Sequence, residues 1–186
     1  MTTLSIHPDN APDQVEVLDD HAAIAARLAE LGVEFTRWPV RADAAALDTA
    51  GVLQAFSDDI AELSQRFGFQ HVDVARITPD NPQRAEFRKK FLNEHTHDDF
   101  EIRFFVAGRG LFYLHIDGHV YCVLCTAGDL ISVPPDTTHW FDMGEHPEFT
   151  CIRFFTTPEG WVGKFTGSTI AERFPSFDAF VTAHAA

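Results

Sequence analysis

Basic residues are scarce in this 186-residue chain. It has 14 lysines and arginines against 28 aspartates and glutamates, so its net charge is -14 with histidine neutral. An acidic surface repels nucleic acid and anionic membranes, and we expect neither as a partner. Residues 1–10 lack a basic start and an apolar run, so no signal peptide is predicted. No stretch of the sequence approaches the length of a membrane span.

Cysteine is also scarce. Cys122, Cys125 and Cys151 make an odd number in an otherwise ordinary chain, for which free thiols and a cytoplasmic location are the simplest interpretation. Cys122 and Cys125 have the spacing of a redox or metal-binding pair. However, an odd separation along a strand places two side chains on opposite faces. We therefore interpret both residues as small hydrophobic parts of the core.

Tyrosine is rare, with two residues against 18 phenylalanines. This ratio predicts a core or cavity rich in plain aromatic surface. Hydrophobic residues make up 45% of the sequence, a normal value for a globular protein with a real core. Because no repeat, low-complexity segment or linker interrupts the chain, we predict a single domain over residues 1–186. A monomer is also expected.

The first third of the chain has a helical pattern. Residues 1–18 are polar and predict an edge strand or a loose arm. In residues 19–68 the apolar positions recur at helical spacing. One helix is predicted to begin after Asp19 or Asp20, and a second is predicted over residues 49–67.

In residues 70–157 the helical pattern gives way to a strand pattern. This region is the predicted core of a sandwich or barrel. Short apolar segments, among them 102–106 and 111–116, alternate with glycine-containing turns. Asp117-Gly118 is a signal for a two-residue hairpin. Gly108-Arg109-Gly110 is interpreted as a turn that connects two strands. The sequence therefore predicts a mainly β fold with flanking helices.

One short stretch carries a pattern of metal ligands. His95, His97 and Glu101 follow the spacing H-x-H-x3-E, and His139 lies about forty residues further on. In a strand, residues at even separations share a face, so the two imidazoles and the carboxylate can point the same way. Arg103 continues this parity and is predicted to lie beside them.

A chance pattern and a structural zinc site are the simpler alternatives to a catalytic metal site. A chance H-x-H is common in a chain with ten histidines. It is much less common for H-x-H-x3-E to be followed by a glycine seven residues after the Glu and by a later Gly-x5-Pro-x4-His. Structural zinc prefers closed sites rich in cysteine. Three histidines and one carboxylate instead suit Fe, Ni, Mn or Co in six coordination, with two positions open for substrate or oxygen.

Longer segments resemble known families. The stretches from His95 to Gly108 and from Gly128 to His139 resemble the two cupin motifs, although Lys89 and Asp136 stand where those motifs have glycine. Four segments are similar to the acireductone dioxygenase family of the methionine salvage pathway, and the similarity extends over essentially the whole chain. These segments are FLNEHTH, EIRFFVAGRGLFYLHI, DLISVPPDTTHWFDMG and PEGWVGKFTG.

The resemblance implies a fold, a cofactor and site residues. The implied fold is a cupin-type β-barrel, also called a double-stranded β-helix or jelly roll. The implied ligands of one Fe(II) or Ni(II) per chain are His95, His97, Glu101 and His139. The residues that match the family's substrate pocket are Phe91, Arg103, Phe141 and Trp161. Arg103 and Glu101 are the predicted catalytic residues. A base must also take a proton from the substrate, and Glu101 and Glu94 are the two candidates.

The resemblance also implies a reaction. The substrate would be 1,2-dihydroxy-3-keto-5-methylthiopentene, an acireductone, which is cleaved with O2. The iron form would give 4-methylthio-2-oxobutanoate and formate, and the nickel form would give 3-methylthiopropanoate, formate and carbon monoxide. Two alternatives remain: another cupin enzyme with the same ligands, such as an isomerase or a different dioxygenase, and a non-catalytic metal-binding sensory or storage cupin.

Overall fold

The computed structural model describes residues 1–158 and 160–184, so Glu159, Ala185 and Ala186 of the predicted domain lie outside the described residues. The strands are β1 (Thr3–Pro8), β2 (Glu16–Leu18), β3 (Glu34–Arg37), β4 (His71–Ile77), β5 (His95–Thr96), β6 (Glu101–Ile116), β7 (His119–Thr126), β8 (Asp129–Val133), β9 (Thr138–Asp142), β10 (Phe149–Phe155) and β11 (Lys164–Phe165). The α-helices are α1 (His21–Ala29), α2 (Thr49–Ala55), α3 (Ser57–Phe67), α4 (Arg84–Phe91) and α5 (Phe177–Ala183), with short 3-10 helices at Ala44–Ala46 and Ile170–Arg173. The predicted mainly β fold with flanking helices is confirmed. Within the described ranges, no helix combines the length and the apolar character needed to cross a membrane.

The long strand β6 organises the sheet. Its first half, residues 101–108, pairs antiparallel with β8 and β10, and its second half, residues 109–116, pairs with β7 and β9. β4 extends one side by pairing with β10, and β5 extends the other by pairing with β9. The hydrogen-bonded order β11-β5-β9-β6-β7-β1-β2 has two free ends. The strands therefore form an open barrel rather than a closed ring.

The N-terminal residues join this sheet. β1 pairs with β7 from Thr3, opposite Leu124, to Pro8, opposite His119, and β2 pairs with β1 at the edge. β3 likewise pairs with β8, outside the predicted strand region 70–157. Of the two predictions for residues 1–18, the edge strand is confirmed for β2 and the loose arm is wrong. β1 is not an edge strand, because it lies between β7 and β2.

The N-terminal helices begin where the sequence predicts, but one of them is interrupted. α1 follows Asp20, whose carboxylate accepts a hydrogen bond from the N–H of Ala23 at 2.9 Å. The single helix predicted over residues 49–67 is instead two helices, α2 and α3. They are separated by Phe56, whose φ of -111° is not helical. The buried Phe56 ring packs against Phe104 of the sheet, so the break lies where the helices contact the core.

A β-bulge shifts the register inside β6. The pairing of β6 with β10 slips by one residue between Thr150 and Cys151. Before the bulge Phe105 faces the main core of the barrel, and after it the even-numbered residues Phe112 and Leu114 do so. One extra residue in a strand has this effect, because side chains alternate with a period of two.

The turn predicted at Gly108-Arg109-Gly110 is wrong, because these residues lie within β6. Gly108 has a φ of +73°, and a Cβ there would lie 1.9 Å from the carbonyl oxygen of Glu148. A Cβ at Gly110 would lie 2.4 Å from the ring of Phe141. Both glycines therefore allow close approach within one strand rather than a reversal of the chain.

We predict that Gly108→Ala destabilises the protein by about 3 kcal/mol, because a left-handed backbone and a clash with fixed backbone atoms act together. The matched control is Gly68→Ala. Gly68 has a φ of +76° but no heavy atom within 4 Å of the added Cβ. Gly68→Ala should lower the free energy of unfolding by about 1 kcal/mol, because of the backbone conformation alone. Urea denaturation measures both losses of unfolding free energy, and equal losses would show that the contact with Glu148 contributes nothing.

Cys122 and Cys125 lie on opposite faces of β7, as their spacing predicts. Cys125 faces the main core together with Cys151 of β10, whereas Cys122 packs in the cluster beneath α5. All three are fully buried free thiols. Burial raises the pKa of Cys122 to about 12 and that of Cys151 to about 11. Both groups therefore stay protonated at neutral pH, which suits a packing role.

Candidate metal centre

The structure brings the four predicted ligands together at one end of the barrel. Their donor atoms all lie within 4.8 Å of one another, and all four side chains are buried. The four residues are His95 in β5, His97 just after it, Glu101 at the start of β6 and His139 in β9. His95 and His139 are direct neighbours in the pairing of β5 with β9. Three short stretches of chain thus converge because the sheet aligns them.

Glu101 lies at the centre of the group. Its Oε2 lies 2.9 Å from Nε2 of His97 and 3.1 Å from Nε2 of His139, within hydrogen-bonding distance of both. Its Oε1 lies 2.8 Å from Nη2 of Arg103, an ion pair without the alignment of a hydrogen bond. Burial raises the pKa of Glu101, but the charge of Arg103 and the two histidine hydrogen bonds outweigh burial and lower this pKa well below its ordinary value. The carboxylate is therefore ionised, as a metal ligand must be.

Backbone carbonyls orient two of the imidazoles. Nδ1 of His95 donates to the carbonyl of Asn93 at 2.6 Å, and Nδ1 of His139 donates to the carbonyl of Thr137 at 2.7 Å. Each bond leaves Nε2 directed at the site, an arrangement common around metal-binding histidines. Burial, followed by the neighbouring His139, lowers the pKa of His95 to about 4. His95 is thus neutral at pH 7, the state that coordinates metal.

The donor set fits a divalent transition metal. It consists of three imidazole nitrogens and one carboxylate, a combination suited to ions such as iron and nickel. Oε1 of Glu101 is buried and has no aligned hydrogen-bond donor among the described residues. Since an unsatisfied buried oxygen is costly, a bound cation would compensate for it.

Arg103 is buried inside a cage of aromatic rings. Its side chain is 4% exposed, and its guanidinium carbon lies between 4.4 and 5.6 Å from four ring centroids. The aromatic cage consists of Phe91, Phe112, Phe141 and Trp161. Guanidinium groups stack on ring faces, so these contacts hold the cation beside Glu101. Sequence analysis missed Phe112 because the bulge reverses strand parity between Arg103 and this residue.

A cavity of about 760 Å³ opens onto the four ligands. Of the four predicted substrate residues, Phe91, Arg103 and Trp161 line it. Phe141 is not among its lining residues; it is 1% exposed and lies behind Arg103 at 4.4 Å. The indole N–H of Trp161 donates to the carbonyl of Phe100 at 2.9 Å, which fixes the ring over the cavity.

Glu94 is directed away from this cavity. One of its carboxylate oxygens accepts from Nδ1 of His115 at 2.7 Å, and the other accepts from the hydroxyl of Thr166 at 2.6 Å. Of the two candidate bases, only Glu101 therefore faces the cavity.

Comparison with known proteins agrees with this geometry. The sequence model of the ARD/ARD′ family matches residues 5–163. The chain belongs to the ARD/ARD′ family. It is 50% identical over 186 residues to the acireductone dioxygenase of Methylococcus capsulatus, with 100% of both chains covered. It is 52% identical over 180 residues to that of Marinobacter nauticus, with 96% of this chain and 97% of the relative covered.

A solved structure extends the family comparison to the fold. The acireductone dioxygenase from Bacillus anthracis, which holds a cadmium ion in its active centre, matches with a TM-score of 0.79 and 31% identity. The match covers 89% of this chain and 98% of that one. The likeness confirms the predicted cupin-type fold.

Proposed function

We propose that the chain is a metal-dependent dioxygenase that cleaves 1,2-dihydroxy-3-keto-5-methylthiopentene with O2 in methionine salvage. The observation that carries the proposal is the cluster of three histidines and Glu101, with Arg103 beside it, at one cavity. Full-length relatives that are named acireductone dioxygenases support the choice of substrate. The small molecule and O2 are the only partners that the proposal requires.

We propose that one Fe(II) or Ni(II) ion per chain is the cofactor. The proposed ligands are His95, His97, Glu101 and His139. When bound, such an ion would supply Lewis acidity that favours the enediolate form of the substrate. The backbone hydrogen bonds on His95 and His139 orient these imidazoles for that task.

Arg103 is proposed to stabilise the negative charge of the enediolate. Its guanidinium carries a positive charge, lies in a site shielded from water and is fixed by the aromatic cage. Phe91 and Trp161 line the cavity and would contact the apolar methylthioethyl tail of the substrate. Phe141 would act on the substrate through its contact with Arg103.

Glu101 is the proposed proton acceptor. Its Oε2 is engaged by His97 and His139, but its Oε1 has only the ion pair with Arg103. The alternative base, Glu94, has both oxygens hydrogen-bonded outside the cavity.

The metal is proposed to decide the products. Among the described residues, the four-residue group is the one cluster found that could hold a metal ion, so iron and nickel would use the same ligands. Metal-free protein should be reloaded separately with Fe(II) or Ni(II) and given one acireductone sample. We expect 4-methylthio-2-oxobutanoate and formate from the iron form, and 3-methylthiopropanoate, formate and carbon monoxide from the nickel form. Identical products from both forms, with metal content verified, would contradict metal-directed cleavage.

Oxygen uptake separates this function from the alternatives. Another cupin enzyme with the same ligands would not consume O2 when acireductone is added, and neither would a sensory or storage protein. We further propose that residues 1–186 form one domain that acts as a monomer in the cytoplasm. The three buried free thiols suit a reducing compartment. Light scattering of the metal-loaded protein measures the oligomeric state.

A further inference from the structure

A row of charged residues crosses the sheet at the mouth of the cavity. Arg153 of β10 lies directly opposite Arg103 of β6 in the strand register. On its other side, Arg153 lies opposite Asp73 of β4. All three side chains line the same cavity as the metal-ligand cluster. Arg153 and Asp73 lie outside the ligand motif and the four predicted substrate residues.

Asp73 fixes the position of the Arg153 guanidinium. Nε and Nη2 of Arg153 donate to the two carboxylate oxygens of Asp73 at 2.8 and 2.6 Å, a bidentate pair. The Arg153 guanidinium carbon also lies 5.3 Å from the ring of Phe155 and 5.7 Å from that of Trp161. Among the described residues, Nη1 has no hydrogen-bond partner, so this edge of a fixed cation remains available to a ligand in the cavity.

Placing Arg153 opposite Arg103 has an electrostatic consequence. Like charges that face each other across strands destabilise a sheet unless other groups compensate for them. The described lining of the cavity includes three cations, Lys90, Arg103 and Arg153, and two carboxylates, Asp73 and Glu101, so its net charge is +1 with histidine neutral. The whole chain carries -14. The cavity is thus a local positive region that attracts a small anion to an acidic protein.

We propose that Arg153, held in place by Asp73, determines specificity by attracting the anionic substrate to the cavity mouth and hydrogen-bonding to it there. The inference rests on the proposed function, because it takes an enediolate as the ligand. Arg103 is directed at Glu101 and the reacting end of the substrate, whereas Arg153 is 28% exposed and lies nearer to solvent. The two arginines therefore have different tasks: Arg153 captures and orients the anion, and Arg103 stabilises its charge during reaction.

This division of tasks predicts a particular kinetic change. Removal of an interaction that is equally strong in the bound substrate and in the transition state raises KM and leaves kcat unchanged. Arg153→Gln should raise KM by about tenfold, with kcat within about threefold of the wild type. Arg153→Lys should recover part of the loss, since it keeps the charge but not the bidentate pair. Rising ionic strength should lower kcat/KM less in Arg153→Gln than in the wild type.

Arg41→Gln is the matched control. Arg41 also pairs with one carboxylate, that of Asp59 at 2.8 Å, and lies over one ring, that of Phe56 at 4.7 Å, but it does not line the cavity. All variants are loaded with Ni(II), and their metal content and Tm are recorded. Oxygen uptake with acireductone gives KM and kcat. Anaerobic titration with ascorbate, a stable cyclic enediolate, gives a dissociation constant from tryptophan fluorescence.

We expect Arg153→Gln to bind ascorbate about tenfold more weakly than the wild type. Arg153→Lys should recover part of this affinity, and Arg41→Gln should bind ascorbate as the wild type does. If Arg153→Gln lowers Tm but leaves both KM and the ascorbate dissociation constant within twofold of the wild type, Arg153 only stabilises the sheet and the proposal is overturned. If the wild type does not consume O2 with acireductone, the proposed function fails. The ascorbate titration then decides alone whether Arg153 binds enediolate anions.

Discussion

His139→Ala is expected to remove bound metal and turnover together. His139 is one of four donors that lie within 4.8 Å of one another, and its Nδ1 is already held by the carbonyl of Thr137. Loss of even an outer partner of a metal ligand costs about 10- to 100-fold in metal affinity or activity. Loss of the ligand itself should cost at least as much in both quantities.

The measurement combines metal content and oxygen uptake. Wild type and variant are loaded with Ni(II) and desalted, and bound metal per chain is determined before the assay with acireductone. His119→Ala is the control, because His119 is an exposed histidine at the start of a strand and lies outside the ligand cluster. It should keep full metal content and turnover. Full occupancy and normal turnover in His139→Ala would remove this residue from the proposed site.

The ligand cluster is accessible to sequence reasoning for a local reason. His95, His97 and Glu101 lie within seven consecutive residues, so their spacing is a local signal. The single alternating strand assumed over this interval is wrong, because β5 ends at Thr96 and β6 begins at Glu101. Alternation holds from Glu101 to Arg103, which lie in β6 ahead of the bulge. The same reasoning places Arg103 on the ligand face, where the structure has it, 2.8 Å from Glu101. Glycine and hairpin signals also identify most of the later strands, including the turn at Asp117-Gly118, where β6 ends and β7 begins.

Features that depend on how distant strands pair cannot be predicted from the sequence. The contact of Phe112 with Arg103 requires the bulge, and the sequence presents Gly108 equally well as a turn residue. Arg153 lies 50 positions from Arg103 in the chain and becomes its neighbour only through the pairing of β10 with β6. The break at Phe56 likewise lies where helices contact the sheet. In each case the decisive partner is distant in sequence, and no local pattern of residue types specifies it.

Arg103→Leu is expected to keep the metal but to lower kcat/KM by about 100- to 1000-fold, the range observed when one donor to a developing oxyanion is removed. The reason is that Arg103 is the buried cation beside Glu101, and no other cation is nine-tenths buried at the cavity among the described residues. Arg109→Leu is the control. Arg109 lies in the same strand but is exposed and does not line the cavity.

Arg103→Lys provides the sharper test of how the cation works. Lysine keeps the charge, so a role that depends on charge alone predicts activity close to that of the wild type. The structure instead presents a planar guanidinium whose carbon lies 4.4 Å from the ring of Phe141 and whose Nη2 lies 2.8 Å from Oε1 of Glu101. An ammonium is a compact, strongly hydrated point charge that cannot make both contacts, and its desolvation among four rings is unfavourable. We therefore expect Arg103→Lys to lose nearly as much kcat/KM as Arg103→Leu, with metal content unchanged. Wild-type kinetics in Arg103→Lys would show that the aromatic cage has no part in catalysis, and equal effects of Arg103→Leu and Arg109→Leu would deny Arg103 any special role.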